Sequence, residues 1–194
     1  IRVSIGHTAA TYEQAMEAIE NGATQVTHLY NAMTPMHHRK PGVVTAALRS
    51  NVYTEMICDT IHVHPAMFQF VMDCKTNDRF VLITDCMRAG GMPQGEYTLG
   101  ELKVVVDQNS ARLTDGTLAG SILSLNRAIA NVRANTDKPL WEIVNAATLN
   151  PARALGMQDR IGSLRAGCNA DFAIFDTLMT LVDGRIVYRK EENR

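Results

Sequence analysis

The sequence predicts an α/β fold in which parallel strands alternate with helices. Residues 1–85 read as four strands separated by three helices, and the connections have the length that parallel strands need. A polar residue follows each strand at its C-terminal end, which is where parallel α/β barrels carry their catalytic residues. An open flavodoxin-like sheet follows the same rule, although no glycine-rich phosphate loop follows the first strand.

Local signals support each of these elements. Thr11 offers an N-cap for the first helix and Gly22 a stop, while Pro65 begins the third helix. The strands are continuously apolar, so we expect both of their faces to be covered. The predicted elements are strand 1–6, helix 12–22, strand 24–29, helix 43–50, a strand from 52 to about 59, helix 65–75 and strand 79–85.

The pattern changes after Tyr97. An Asp183-Gly184 pair between apolar segments predicts a hairpin near the end of the chain. Because Ile1 opens inside a predicted strand without an initiator methionine, we expect a fragment that lacks its N-terminal portion. The later elements are short antiparallel strands over 97–113, a glycine-bearing loop at 114–121, a helix over about 122–134, two helical stretches in 139–156, and β-structure in 162–176 and 181–189.

Composition narrows the classes of function. The chain has 194 residues, 46% hydrophobic and 20% charged, with a net charge of −1, which is typical of a globular protein. This balance, without runs of like charge, argues against nucleic-acid and membrane-surface partners, and no apolar segment reaches the length of a membrane span. Four widely spaced cysteines predict buried free thiols in a reducing compartment, and hence a cytoplasmic protein.

Histidines and a carboxylate follow the predicted strands. These are His7, His28, His62 with His64, and Asp85. A single histidine at a strand end more often hydrogen-bonds a nearby carbonyl than binds metal. Several imidazoles at one barrel rim predict a divalent-metal site instead, with zinc or ferrous iron preferred, and Asp85 can then move the proton in the hydrolysis of an amide or ester.

Seven segments resemble, in order, the C-terminal portion of the N-acetylglucosamine-6-phosphate deacetylases, a family of the amidohydrolase superfamily. They are "GHTAAT" (6–11), "THLYNAM" (27–33), "RKPG" (39–42), "IHV" (61–63), "LITD" (82–85), "TLAGS" (117–121) and "NAATLNPARALG" (145–156). The resemblance implies the later half of a metal-dependent (β/α)8 TIM barrel over residues 1–168. It also implies the C-terminal strands of a small β-sandwich over residues 169–194.

The resemblance also implies roles for particular residues. His7 and His28 become ligands of a divalent metal, zinc or iron, and Asp85 becomes the catalytic acid–base group. Arg39 is implied to reach the substrate phosphate across the interface of a homodimer. The substrate-binding residues implied are Asn31, Ala32, Arg39, Asp59, Thr60, Ile61, His62, Leu118, Ala119 and Gly120. The family's other metal ligand precedes Ile1, so we expect the chain alone to be inactive.

The implied activity is removal of acetate from N-acetylglucosamine 6-phosphate to give glucosamine 6-phosphate. The partners implied are therefore this small amino sugar phosphate and a second copy of the chain, without nucleic acid or membrane. Two alternatives stay open. Another amidohydrolase, similar to dihydroorotase or imidazolonepropionase, would share the strand-end histidines and aspartate. A non-catalytic structural fragment would need none of the chemistry.

Overall fold

The computed structural model describes residues 1–175 and 178–190, which form an α/β arrangement with one parallel and two antiparallel sheets. The strands are β1 (Ser4–Ile5), β2 (Gln25–Val26), β3 (Tyr53–Ile57), β4 (Phe80–Ile83), β5 (Gly95–Leu99), β6 (Leu102–Val106), β7 (Ala111–Leu113), β8 (Phe172–Ile174), β9 (Met179–Val182) and β10 (Arg185–Arg189). The helices are α1 (Tyr12–Glu20), α2 (Gly42–Arg49), α3 (Ala66–Cys74), α4 (Leu125–Asn135), α5 (Leu140–Ala147) and α6 (Leu149–Leu155).

Strands β1 to β4 form the parallel sheet, in the order in which they occur along the chain. Val26 pairs with Thr54, and Ile57 pairs with Ile83. Since all four strands run in the same direction, their C-terminal ends lie at one edge of the sheet. The predicted α/β class and the parallel strand order are therefore confirmed.

The main core lies between this sheet and helices α1 to α3. Strand residues that are almost fully buried there include Val26, Met56 and Leu82, and the helices contribute Val43, Phe68 and Val71. The other face of the sheet carries Gln25 and Glu55, which are only half-buried. The expected cover on both faces is confirmed for β4, where Phe80, Val81 and Leu82 are all almost fully buried, but not at Gln25 and Glu55. On the second face Ile57 packs with Leu123 and Ala128.

Two turn signals are confirmed in detail. The hydroxyl of Thr11 accepts a hydrogen bond from the backbone of Gln14 at 3.3 Å, and the Gln14 side chain accepts one from the backbone of Thr11 at 2.9 Å. This reciprocal pair satisfies two amides that the start of α1 leaves free. Asp183 and Gly184 both have positive φ, 49° and 74°, and join β9 to β10, as a tight hairpin requires.

Three local expectations need correction. The helix expected from about residue 122 begins at Leu125. Residues 162–167 form turns, and the β-structure expected there starts only at Phe172. All four cysteines are free, as expected, but only Cys58 is buried. Asp176, at the end of the predicted β-segment, and residues 191–194 lie outside the described residues. No helix in the described ranges combines the length and the apolar character that crossing a membrane demands.

Lys75 is a buried cation that joins two helices. The residue is only 6% exposed. Its Nζ donates hydrogen bonds to the carbonyl oxygens of Ala47 at 2.8 Å and Ser50 at 2.7 Å. These carbonyls lie at the C-terminal end of α2, where helices leave acceptors unpaired. Burial, with a smaller contribution from the positive charge of Arg79, lowers the pKa of Lys75 to about 8.

This lowered pKa predicts a pH dependence of stability. The unfolded chain keeps the Lys75 proton up to its ordinary pKa of about 10.4, so between pH 8 and that value the unfolded state binds more protons. The free energy of unfolding should therefore rise with pH, by on the order of 2 kcal/mol at pH 10. Urea unfolding of the wild type and of Lys75→Met, which cannot titrate there, measures this as a difference. A difference that stays constant or falls with rising pH would contradict the prediction.

Candidate active site

Three of the candidate residues lie at the C-terminal edge of the parallel sheet. His7 follows β1, His28 follows β2 and Asp85 follows β4, each two residues beyond the last paired residue. The rings of His7 and His28 meet edge to face, with their centroids 4.7 Å apart. The strand-end pattern therefore predicted correctly that these two imidazoles come together at one end of the sheet.

His28 has an unpaired nitrogen that fits a metal ligand. The residue is 5% exposed, and its Nδ1 is buried without a hydrogen-bond partner in the described part of the chain. Such a group is costly unless something binds it, and imidazole nitrogen is a preferred ligand of zinc and iron. Within residues 1–175 and 178–190 no group of three or more histidine, cysteine or acidic residues could hold a metal. The pair therefore fits two positions of a larger ligand set.

The backbone at this edge is strained. His7, His28 and Asp85 have φ values of 44°, 30° and 48°, and Ala32 and Thr60 share this left-handed region at 48° and 71°. Residues with a Cβ rarely adopt it, and each instance costs on the order of 1 kcal/mol or more. Because such conformations cluster at functional sites, the strain is an independent indication that this edge is the site.

A loop from the second half of the chain is hydrogen-bonded to the backbone around Asp85. The backbone N–H of Ser121 donates to the carbonyl of Asp85 at 3.0 Å, and the N–H of Met87 donates to Ser121 at 2.9 Å. The Ser121 hydroxyl donates to the carbonyl of Thr84. These bonds bring the predicted substrate loop, Leu118 to Gly120, next to Asp85. Gly120 has a φ of 77°, which glycine adopts without steric cost.

The loop after β2 closes onto the end of β1. The side chain of Asn31 donates to the carbonyls of His28 and Leu29, both at 3.2 Å. The carbonyl of Ala32 accepts from the N–H of Thr8 at 3.0 Å. Asn31 and Ala32 are therefore fixed beside the two histidines.

The segment Asp59–His62 forms a closed turn after β3. Its first three residues, 59–61, border a crevice of about 270 Å³ that Asn109, Leu123 and Arg127 also line. The side-chain amide of Asn131, on α4, donates to the carbonyl of Cys58 at 2.9 Å and fixes the start of this turn. His64, beyond the turn, is exposed and accepts a bond from the N–H of Ala66 at 3.2 Å.

Arg39 lies in the loop between β2 and α2. Its Nη1 is 2.7 Å from Nε2 of His38, and in the described part of the chain no hydrogen bond or ion pair links it to His28 or Asp85. With Lys40 it lines a crevice of about 400 Å³ beside the first turn of α1. An exposed guanidinium without a carboxylate partner is free to bind an anion.

Sequence reasoning missed Glu55. Its half-buried carboxylate accepts a hydrogen bond from the side chain of Gln25. Burial raises its pKa, the Gln25 bond opposes this, and the charges of His28 and Asp85 act on it in opposite directions. Glu55 therefore lies close to the candidate site. A single charge in the apolar strand "YTEMI" was the signal available.

Comparison with known sequences identifies relatives of this architecture. The amidohydrolase family profile matches residues 1–193. An N-acetylglucosamine-6-phosphate deacetylase from Lysinibacillus sphaericus is 45% identical over 92% of this chain and 46% of its own length. An N-acetylgalactosamine-6-phosphate deacetylase from Escherichia coli O157:H7 is 42% identical over 91% of this chain and 47% of its own. The chain thus spans about half the length of the curated relatives it matches.

Solved structures of N-acetylglucosamine-6-phosphate deacetylases resemble this chain in fold. A crystal structure of N-acetylglucosamine-6-phosphate deacetylase from Thermotoga maritima superimposes with a TM-score of 0.91 at 36% identity, covering 98% of this chain and 53% of that one. A D267A mutant of the enzyme from Mycobacterium smegmatis, in complex with N-acetyl-D-glucosamine-6-phosphate, also gives 0.91, at 37% identity, covering 96% of this chain and 51% of that one.

Proposed function

Because the chain belongs to the amidohydrolase family, we propose that it is the C-terminal portion of a metal-dependent deacetylase that releases acetate from N-acetylglucosamine 6-phosphate. The observation that carries this proposal is the pair of adjacent imidazoles, His7 and His28. Nδ1 of His28 is buried and has no hydrogen-bond partner within residues 1–175 and 178–190. The relatives that match most of the chain are named for this reaction.

The same relatives support a proposal for the fold of the whole protein. We propose that β1 to β4 with their helices are the later half of a (β/α)8 barrel over residues 1–168. The consecutive parallel order of the four strands supports this arrangement. The antiparallel sheet of β8 to β10 would be the contribution of residues 169–194 to a β-sandwich.

The chemistry proposed is hydrolysis of the acetamide. His7 and His28 would hold zinc or iron together with ligands from the rest of the protein. A divalent metal bound there supplies Lewis-acid chemistry, which polarises a carbonyl and acidifies water. Asp85 takes the proton of the attacking water and returns it to the sugar nitrogen as the C–N bond breaks. Acetate and a free amine are the products.

The remaining residues would bind the substrate. Asn31, Ala32 and His62 would contact the sugar from the ends of β2 and β3, with the segment from Asp59 to Ile61 forming the wall beside them. Leu118, Ala119 and Gly120 would close the site beside Asp85. Arg39, which has no carboxylate partner in the described residues, would bind the phosphate of a substrate held by the second subunit of a homodimer. The whole protein would be a cytoplasmic enzyme without nucleic-acid or membrane partners.

Acetate release by the full-length protein tests this proposal. We expect turnover of N-acetylglucosamine 6-phosphate and little turnover of the unphosphorylated sugar. N-acetylgalactosamine 6-phosphate is the second candidate, since a relative that is 42% identical is named for it, and the ratio of kcat/KM between the two epimers decides between them. Absence of acetate release from both epimers would reject a deacetylase. Turnover of dihydroorotate or imidazolone propionate instead would favour the other amidohydrolase classes.

Removal of the Arg39 guanidinium tests the phosphate contact. In Arg39→Ala we expect kcat/KM for the phosphorylated sugar to fall about 10- to 100-fold, the size expected for hydrogen bonds to a charged group. The unphosphorylated sugar should change little. Arg49→Ala, at an exposed arginine in the last turn of α2 that does not line this crevice, is the matched control. Equal losses for both sugars would mean that Arg39 supports the fold or the dimer and does not bind phosphate.

A further inference from the structure

Both carboxylate oxygens of Asp59 are used within its own turn. Oδ1 accepts hydrogen bonds from the backbone N–H groups of Ile61 and His62, both at 2.8 Å. Oδ2 lies 2.6 Å from Nδ1 of the His62 ring, and the side chains of Asp59 and His62 are each only 7% exposed. Thr60, in a left-handed conformation, closes the turn between them. Asp59 is therefore occupied by His62 rather than open to a ligand.

The protonation state of this pair follows from its hydrogen bonds. Burial alone would raise the pKa of Asp59, but bonds from the His62 ring and from two backbone amides outweigh it, and the pKa is lowered. At neutral pH Asp59 is a carboxylate, which can only accept. The His62 proton must then sit on Nδ1, and in a neutral ring Nε2 is an acceptor. Nε2 has no protein partner among residues 1–175 and 178–190.

We propose that Asp59 is a positioning residue that fixes His62 with its proton on Nδ1 and so presents Nε2 as the acceptor for a hydroxyl of the sugar. This inference rests on the proposed function for its substrate. In this proposal Asp59 does not contact the sugar itself, and it affects sugar binding by orienting the His62 ring. The pattern is that of other histidines whose second nitrogen is set by the partner of the first.

The variant Asp59→Asn separates the two oxygens of Asp59. The asparagine Oδ1 can still accept from the backbone of Ile61 and His62, so the turn is kept. Its NH₂ group replaces Oδ2 and can only donate, so Nδ1 of His62 must accept and the proton moves to Nε2. In ¹⁵N NMR of the histidine-labelled full-length protein, we expect the protonated nitrogen to be Nδ1 in the wild type and Nε2 in the variant.

The kinetic expectation follows from the same reversal. A donor at Nε2 loses the bond to the sugar hydroxyl, so KM for the N-acetyl sugar phosphate should rise about tenfold, the size of one hydrogen bond. The value of kcat should change little, because Asp85 and the metal ligands are untouched. In a His62→Gln background, Asp59→Asn should add nothing, since residues that act as one unit are not additive.

Asp107 provides a matched control. Its Oδ1 accepts from the N–H groups of Asn109 at 2.7 Å and Ser110 at 2.6 Å, as Asp59 does, but its Oδ2 meets a serine hydroxyl at 3.0 Å. A hydroxyl can donate or accept, so Asp107→Asn should leave both KM and the His62 spectrum unchanged. Loss of activity in this variant would show that replacing any such aspartate disturbs the fold.

Several results would overturn the proposal. A wild-type His62 that carries a proton on Nε2, either alone or together with one on Nδ1, rejects it without any variant, including the case in which Asp59→Asn does not fold. An unchanged tautomer in Asp59→Asn, or a reversed one with unchanged KM, also rejects it. Failure of the proposed function is distinct, because the wild type would then release no acetate while the Nδ1 proton of His62 would still be observed.

Discussion

Asp85→Asn in the full-length protein should lower kcat about 10²- to 10⁴-fold, the contribution of one acid–base group, while the bound metal is retained. Asparagine keeps the shape of the side chain but cannot take a proton from water. It also tolerates the left-handed backbone that Asp85 adopts, at a φ of 48°. The expected loss is therefore chemical and not conformational.

The measurement is acetate release, with metal content by mass spectrometry on the same sample. Asp183→Asn is the matched control, because Asp183 has a φ of 49° and lies in the β9–β10 hairpin. This control should have normal activity. If Asp85→Asn turned over at near the wild-type rate, Asp85 would not be the acid–base group.

His28→Asn should remove metal from the protein and with it the activity. Loss of an outer partner of a metal ligand weakens binding about 10- to 100-fold, and loss of a ligand itself should exceed that range. Asparagine again suits the backbone, since His28 has a φ of 30°. The buried Nδ1, which has no hydrogen-bond partner among the described residues, disappears with the ring, so no new unpaired imidazole is left behind.

His64→Asn is the control for this substitution. His64 is exposed, and the one hydrogen bond of its ring among the described residues comes from the N–H of Ala66, at the start of α3. Asparagine is itself a favoured residue at helix starts. Metal content should be normal in this variant. A His28→Asn protein that keeps a full complement of metal, measured after dialysis against a chelator, would show that His28 is not a ligand.

Much of the fold could be predicted from local sequence because its signals are local. The capping residues of α1 and the Asp183-Gly184 turn act within four residues, and both predictions hold. The extent of the strands could not be predicted in this way. Strands β1 and β2 each pair over only two residues, because pairing depends on neighbours that are distant in sequence. The exposure of Cys74 and Cys86 depends on tertiary packing in the same manner.

The candidate site was predictable in its position but not in its internal contacts. The position of His7 and His28 after apolar strands was enough to place them together. The hydrogen bond between Asp59 and His62 was not predicted, although a three-residue spacing permits a side-chain contact across a turn. The roles of His7, His28 and Asp85 remain predictions until the variants above are measured.

The left-handed backbone at His7, His28 and Asp85 lowers the stability of the fold at the residues that the proposed reaction needs. Selection for stability and selection for activity therefore favour different residues at these positions. Glycine is the residue that relieves such strain, so a screen for heat resistance alone would favour glycine at the positions where the proposed reaction needs a side chain. Stabilised variants of this protein should therefore be sought at sites other than the strand ends, and libraries that fix these residues should retain the proposed activity more often. The same conflict applies to natural relatives that no longer catalyse the reaction. Such relatives would gain stability from glycine at these three positions, so glycine there would indicate a relative without the activity.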